Sequence, residues 1–490
     1  MLNNMKLRLH FRQIPLPADD TVGMPRAILA VQPHEPDTAA EVALLYDPAG
    51  RSVLATHPLV TLQANRTRAA CFFSSTTHRP YASGAASATP APSVSIQTAL
   101  QQWQAAMDGI ELMADEPLPD LFGWLGWISY DAGLMLESPD IFSSLPPRLP
   151  LFRWQLFRDY YIFDHRNRRA QLLHISAHDA PNADVALRRM EDTLRSATGD
   201  NVASTNGRAE LVDQTHRAEF QRAVQRTLEF IRAGDIYQAN IAARWCMKTD
   251  IPPAELFARI SHLSPAPYGG IFRFPHDHQS HAILSVSPEL FIERRGRNLR
   301  TRPIKGTRPR YPDHPAADLT ASRDLLQSPK EQAELAMIVD LLRNDLGRIC
   351  RTGSIRVTEP RMLEQHPTVW HTVAEISGLL DAGASWGDII AALCPAGSIS
   401  GTPKIRATEI IAELEQTPRG IYCGHMGWIG PAGNGTLNIA IRTAHLAGNE
   451  FVFQGGAGIV AESEPAAEYE EVLAKIRAML TIVRATSAPL

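Results

Sequence analysis

Two pairs of acidic residues carry the most chemistry in this sequence. The segment SPKEQAELAMIVDLLRNDLGR, residues 328–348, predicts one helix: Ser328 suits the N-cap, Pro329 the first turn, Glu331 a capping box and Gly347 the end. At helical spacing Leu335, Ile338, Leu341 and Leu342 form an apolar stripe, and Glu334 falls inside it. A carboxylate on a core-facing stripe is costly unless a cation or dense hydrogen bonding compensates it, which makes Glu334 a ligand candidate. An ion pair to an internal arginine such as Arg343 is the plain structural alternative, and Glu331 serves equally well as a cap.

The second pair lies in AAEYEEVLAKIRAML, residues 466–480. Tyr469, Val472, Leu473, Ile476, Met479 and Leu480 share one face, while Glu468, Glu471 and Lys475 share its neighbour. Alone this is an ordinary solvated flank. Paired with Glu334 it supplies carboxylates from two helices to one hard divalent cation, and Mg²⁺ typically takes one or two carboxylates plus waters and substrate oxygens.

Three further segments carry candidate chemistry, each a weak signal alone. GGAGIV (455–460) and GSISGTPK (397–404) read as glycine-rich turns whose backbone N–H groups could face an anion, with Thr402-Pro403 opening a helix. GSISGTPK lacks P-loop spacing. In TRPIKGTRP (301–309), Lys305 stands at a strand end before a Gly-Thr turn, among Arg302, Arg308 and Arg310, cations that would disfavour its protonation. A neutral amine there is a nucleophile; a basic surface loop is the alternative.

These residues need elements to hold them. The chain has 490 residues, enough for two or three domains or one large composite at about 100–200 residues per domain. Up to about residue 200 the apolar runs are short and strand-like, as in LFGWLGWISYDAG (121–133) and FRDYYIFDHRNRRAQLLHIS (157–176). Ser, Thr, Ala, Gly and Pro dominate 74–95 and 197–209, which read as linkers or loops. From about 210 the pattern changes: Phe220, Val224, Leu228 and Ile231 mark a helix stopped at Gly234, and strands follow at 237–245, 282–294 and 436–459, the last a hairpin turned at Gly448-Asn449. Helices and strands do not alternate regularly, so the expected class is α+β with antiparallel sheets, in a β-rich region 1–200 and a catalytic region 210–485.

Bulk properties exclude several partners. The 48 Lys+Arg against 52 Asp+Glu leave a net charge of −4 with no basic stripe, so neither nucleic acid nor an anionic membrane is expected. The five cysteines lack paired or zinc-type spacing, no leader pattern opens the chain, and no run of about 18 apolar residues occurs, so a cytoplasmic location is expected.

The ordered series AGDIYQANIAAR (233–244), SVSPELF (285–291), RPIKGTRPR (302–310), KEQAELAMIVDLLRNDLGR (330–348), GSISGTPKIRATEII (397–411), RGIYCG (419–424), IAIRT (439–443) and GGAGIVAESEPAAEYEE (455–471) resembles the chorismate-utilising enzymes. The resemblance implies a large α/β sandwich of antiparallel sheets with helices outside. It implies Glu334 and Glu471 as Mg²⁺ ligands, with Glu331 and Glu468 reaching the metal through water. Gly306, Thr307, Tyr422, Arg442, Gly456, Ala457, Gly458 and Lys475 match substrate-contacting positions, Arg442 being suited to a carboxylate of chorismate. Glu289 matches the general acid for the leaving C4 hydroxyl, and His371 a family active-site histidine whose alternative is a hydrogen-bonded core residue.

Within the family, PIKGT resembles the aminodeoxychorismate synthase component I branch, where the anthranilate synthases read PIAGT; Lys305 would be the nucleophile. Water-activating members carry a lysine where Gln238 stands here. No glutamine amidotransferase segment is recognisable, so ammonia is expected from a separate glutaminase subunit. Anthranilate synthase component I and a non-catalytic regulatory subunit on the same fold are the competing readings. LLYD (44–47) places Asp47 where amino-acid-binding members have serine, and SPAPY (264–268) also departs from the family pattern, so no effector is inferred.

Overall fold

A computed structural model describes residues 5–15, 41–47, 50–67, 70–77, 94–137, 149–177, 183–196, 207–366 and 369–484. Of the expected linkers, 78–93 and 197–206 lie outside these residues. Their flanks are not linker: Ala70–Thr77 is a strand, Ser95 caps the helix Ile96–Asp108 and Ala209 opens another strand. A short, polar composition does not prevent pairing when an adjacent strand supplies the ladder, as Arg51–Thr67 does for Ala70–Thr77.

The expected architecture is observed: mixed helix and antiparallel sheet. Among the described residues 22 strands form one hydrogen-bonded network, in which the pairing of Met5–Pro15 with Ile110–Met113 is parallel and the others antiparallel. The two compositional regions share these sheets. Trp124–Ile128 pairs with His425–Ile429, and Val42–Tyr46 with Tyr268–His276.

Two apolar clusters flank the network. One gathers Trp103, Trp127, Trp154 and Trp386 with Phe152; the other gathers Phe220, Val224, Leu228, Trp245, Tyr469 and Val472. The helix Arg217–Arg232 contributes the expected residues Phe220, Val224 and Leu228 to the second cluster, and Gly234 follows it at φ +81°. Burial of such side chains, at about 25 cal/mol per Å² of apolar surface, is the main force holding helices onto the sheet.

Four elements then frame one region. The strand Gln238–Thr249 pairs with Glu450–Ile459, Asn240 opposite Gly458 and Ala242 opposite Gly456. The hairpin turn at Gly448-Asn449 is as expected, with Ala447 opposite Glu450. GGAGIV, expected as a turn, is instead the end of the strand Glu450–Ile459. Glycine favours turns locally, but here Gly455, Gly456 and Gly458 let side chains from neighbouring elements approach the strand closely. The span 282–294 is two strands, Gln279–Ser287 and Leu290–Arg295, and Glu289 sits in the break.

The helix over 328–348 forms as expected, from Pro329 to Gly347, with the Ser328 hydroxyl accepting from the Glu331 N–H at 3.4 Å. The reciprocal half of the capping box is not made, because the Glu331 carboxylate turns to Arg308 at 3.4 Å. The expected single helix 466–480 is two, Pro465–Lys475 and Arg477–Arg484, broken at Ile476. No helix among the described residues is long and apolar enough to cross a membrane.

Candidate active site

Lys305 lies on the strand Ile304–Pro309, paired with Val369–Leu379, and Gly306 is the extra residue of a bulge between Lys305 opposite Thr372 and Thr307 opposite His371. Gly306 takes φ +79°, which a side chain would strain. A bulge re-aims its neighbours, and Lys305 points inward, its side chain 13% exposed. Its Nζ lies 3.9 Å from Glu334 Oε2 and 3.2 Å from where a Cβ on Gly458 would stand. The expected crowd of cations is not around it: Arg302 pairs with Glu364 at 3.0 Å, Arg308 with Glu331 and Arg310 with Asp318 at 2.9 Å. Carboxylates satisfied those arginines, so the charges facing Lys305 are Glu334, Glu289 and Glu471.

Glu289 is buried beside this amine. Loss of hydration pushes its carboxyl up to about 7, against the pull of Ser398, Lys305, the Ile304 N–H and Lys475. The Ser398 hydroxyl donates to its Oε1 at 2.9 Å. A carboxyl half-protonated near neutrality is suited to giving a proton.

The four glutamates gather from two helices. Glu334 does not pair with Arg343, which bonds Asp340; it faces Lys305 and, at 3.9 Å, Lys330. Lys330 Nζ also lies 3.8 Å from Glu468 Oε1, so one ammonium is shared by carboxylates of separate helices. Burial raises Glu334 and Glu468, with Glu471 adding to both. Glu471, more exposed, is held below its usual range mainly by Lys475 at 2.7 Å. Among the described residues no three His, Cys, Asp or Glu side chains stand as a ready-made metal cage. The donor set nevertheless fits a hard divalent cation: clustered, partly desolvated carboxylates that here lean on lysines.

The remaining candidates lie on the neighbouring strands and helix. Lys475 Nζ donates to the Gly456 carbonyl at 3.0 Å. A Cβ on Gly456 would come within 2.9 Å of both Tyr422 OH and Asn240 Nδ2, and one on Gly458 within 2.8 Å of Gln238 Nε2. Ala457, between them, turns into the second apolar cluster, as strand alternation requires, so its methyl is apart from the site its neighbours face. Burial raises the Tyr422 phenol and lowers the Arg442 guanidinium. Arg442 sits at φ +49°, reaches Ser264 at 3.4 Å and has no carboxylate in ion-pair range among the described residues. His371 Nδ1 meets the Thr307 hydroxyl at 2.9 Å and the Gly306 carbonyl at 3.4 Å. Burial, with Arg442 and His366 adding, lowers His371 to about 3, so it is a neutral imidazole.

Sequence reasoning missed Asn240, Lys330 and Ser398. Gln238 is fully buried with neither amide atom hydrogen-bonded, and Asn240 Nδ2, His371 Nε2 and Thr402 Oγ1 are likewise without partners among the described residues. Buried polar groups left open in this way usually face a ligand or water. The lysine four residues before Glu334 was the one local signal available for Lys330.

Residues 48–481 match the family of chorismate binding enzymes, and the chain belongs to that family. It is 37% identical over 379 residues to anthranilate synthase component 1 of Streptomyces coelicolor, covering 75% of this chain and 73% of the relative. It is 35% identical over 376 residues to aminodeoxychorismate synthase component 1 of Bacillus subtilis, covering 76% and 79%. The fold superposes on the crystal structure of anthranilate synthase component I from Streptococcus pneumoniae with TM-score 0.71 and 25% identity, over 89% of this chain and 93% of that one.

Proposed function

We propose that this chain aminates chorismate at C4 to give 4-amino-4-deoxychorismate, acting as an aminodeoxychorismate synthase component I toward 4-aminobenzoate and folate. Lys305 carries the reading: an inward amine on the bulged PIKGT strand, within 3.9 Å of Glu334 and beside Glu289. Once deprotonated, the Lys305 amine attacks C2 as the C4 hydroxyl departs with a proton from Glu289, leaving as water, while both ring double bonds shift, C1=C2 to C1=C6 and C5=C6 to C4=C5. Ammonia then bonds to C4, both double bonds return to their places, the Lys305 amine leaves with its electron pair, and the spare proton on the new C4 nitrogen restores Glu289. Chorismate and ammonia become 4-amino-4-deoxychorismate and water.

Glu334 and Glu471, with Glu468 and Glu331 acting through water, would hold Mg²⁺, which when bound neutralises a substrate carboxylate. Arg442, without a carboxylate of its own, suits a second carboxylate of the substrate. Ammonia would come from a glutaminase partner, and the expected compartment is the cytoplasm.

Anthranilate synthase component I is the second reading, favoured by the 37% identity to the Streptomyces coelicolor relative. Protein with chorismate, Mg²⁺ and an ammonium salt should consume chorismate without fluorescent anthranilate, and an added aminodeoxychorismate lyase should then release 4-aminobenzoate. Anthranilate in place of that product would overturn the assignment.

A further inference from the structure

Among the described residues one side chain, Ser398, donates to the Glu289 carboxyl, and it is set in a short turn packed on both sides. The Gly397–Ile399 turn lies against the helix Pro329–Gly347, so tightly that a Cβ on Gly397 would stand 2.5 Å from Leu341 Cδ2. Its exit is fixed by the Ser400 hydroxyl donating to Ala396 O at 2.9 Å and by Arg419 Nη1 donating to Ile399 O at 2.9 Å. A few residues on, the buried Lys404 Nζ donates to Asp345 Oδ2 of the same helix at 2.7 Å. Ser398 is 8% exposed and its Oγ lies 2.9 Å from Glu289 Oε1. A donor immobilised in this way needs no reorganisation when charge appears on its acceptor.

We infer that Ser398 is a positioning residue for the acid step: its hydroxyl, held by the turn and the Lys404–Asp345 pair, occupies Glu289 Oε1 and so keeps the transferable proton on Oε2. This rests on Glu289 being the acid of the proposed amination. The same contact stabilises the carboxylate left after the proton departs, so losing it weakens the acid. The other groups facing Glu289 are Lys305 on the bulged strand, Lys475 on the Pro465–Lys475 helix, Arg442 before the strand Thr443–Ala447, Cys423 and the Ile304 N–H. Three of these are cationic side chains that also favour the anion, so Ser398 is separable from them only by its own substitution.

The test compares kcat against pH in the Mg²⁺, chorismate and ammonium assay for the parent, Ser398→Ala, Ser398→Cys, Ser398→Thr and Glu289→Gln. In Ser398→Ala the anion loses a donor, so the alkaline limb should move to higher pH while the plateau kcat falls about tenfold. Ser398→Cys, which keeps the volume but donates weakly, should move the limb the same way should the alanine variant fold poorly. Ser398→Thr should keep the parental limb. An unmoved limb in Ser398→Ala and Ser398→Cys, with loss seen only in KM or Tm, beside an inactive Glu289→Gln, would overturn the inference and leave the acid assignment standing. A Glu289→Gln enzyme with the parent's rate and limb would remove both.

Discussion

Glu289 and Lys305 are neighbours set in different surroundings. Burial penalises the Glu289 anion, raising its carboxyl to about 7, whereas Lys305 is an amine surrounded by carboxylates. If Glu289 delivers the proton, kcat declines as pH rises through about 7. Glu289→Gln should lower kcat by about 10²–10⁴-fold, the range for a general acid. Its stability should move the other way. The folded carboxyl holds its proton above the unfolded value of 4.5, so the parent loses stability as pH rises from there through about 7. Gln cannot ionise, so Glu289→Gln should melt higher than the parent at about pH 8 and converge with it below about pH 4. Equal Tm values at both ends would argue that the carboxyl is not desolvated. Lys305→Ala, separately, should abolish any substrate adduct in intact-protein mass spectra, and an adduct persisting there would name another nucleophile.

Two glycines separate backbone strain from space at the level of elements. Gly306 takes φ +79° and a Cβ would meet Leu325 at 2.7 Å and Glu331 Oε2 at 2.8 Å, so Gly306→Ala is expected to lower both Tm and kcat, with about 1 kcal/mol or more from the backbone alone. Gly458 is extended, and its Cβ would meet only the far ends of side chains, Gln238 Nε2 at 2.8 Å and Lys305 Nζ at 3.2 Å. Gly458→Ala should therefore cut kcat/KM while leaving Tm near the parent's, measured by steady-state kinetics and thermal melts. A matching fall in Tm would place that glycine in the scaffold and not the site. These elements were unequally legible. The helix Pro329–Gly347 was readable because its cap, its proline and its stripe are local signals. The strand ending Gly455–Ile459 was not, because its pairing with Gln238–Thr249 is fixed some two hundred residues away, and glycine reads as a turn without that partner. The break at Glu289 and the Ser398 contact, 109 residues apart, are likewise tertiary facts. Arg302, Arg308 and Arg310 misled because charge density in sequence does not show which carboxylates will neutralise them.

The helix Pro329–Gly347 and the helix Pro465–Lys475 are more than a hundred residues apart in the chain and meet through Lys330, which stands between Glu334 and Glu468 at 3.9 and 3.8 Å. With burial raising both carboxyls and Glu471 adding to each, this arrangement stores like-charge repulsion that Lys330, with Lys305 beside Glu334 and Lys475 beside Glu471, only partly relieves. A divalent cation taking up the same carboxylates would bind the folded chain and not the unfolded one, so it must stabilise the fold by mass action, by about 2.7 kcal/mol at a hundredfold excess over Kd. Thermal melts of the parent should therefore rise with Mg²⁺ and fall back when a chelator is added, without any substrate present. Glu334→Gln with Glu468→Gln should melt at least as high as the parent in chelator, since repulsion is gone, yet no longer respond to Mg²⁺. Replacing Lys330 by Met should do the reverse: lower Tm without metal, because two buried carboxylates lose their shared cation, and a larger Mg²⁺-induced rise. A parent Tm indifferent to Mg²⁺ while Lys330→Met leaves stability unchanged would mean that these two helices are joined by packing alone and that the glutamates do not act as one anionic unit.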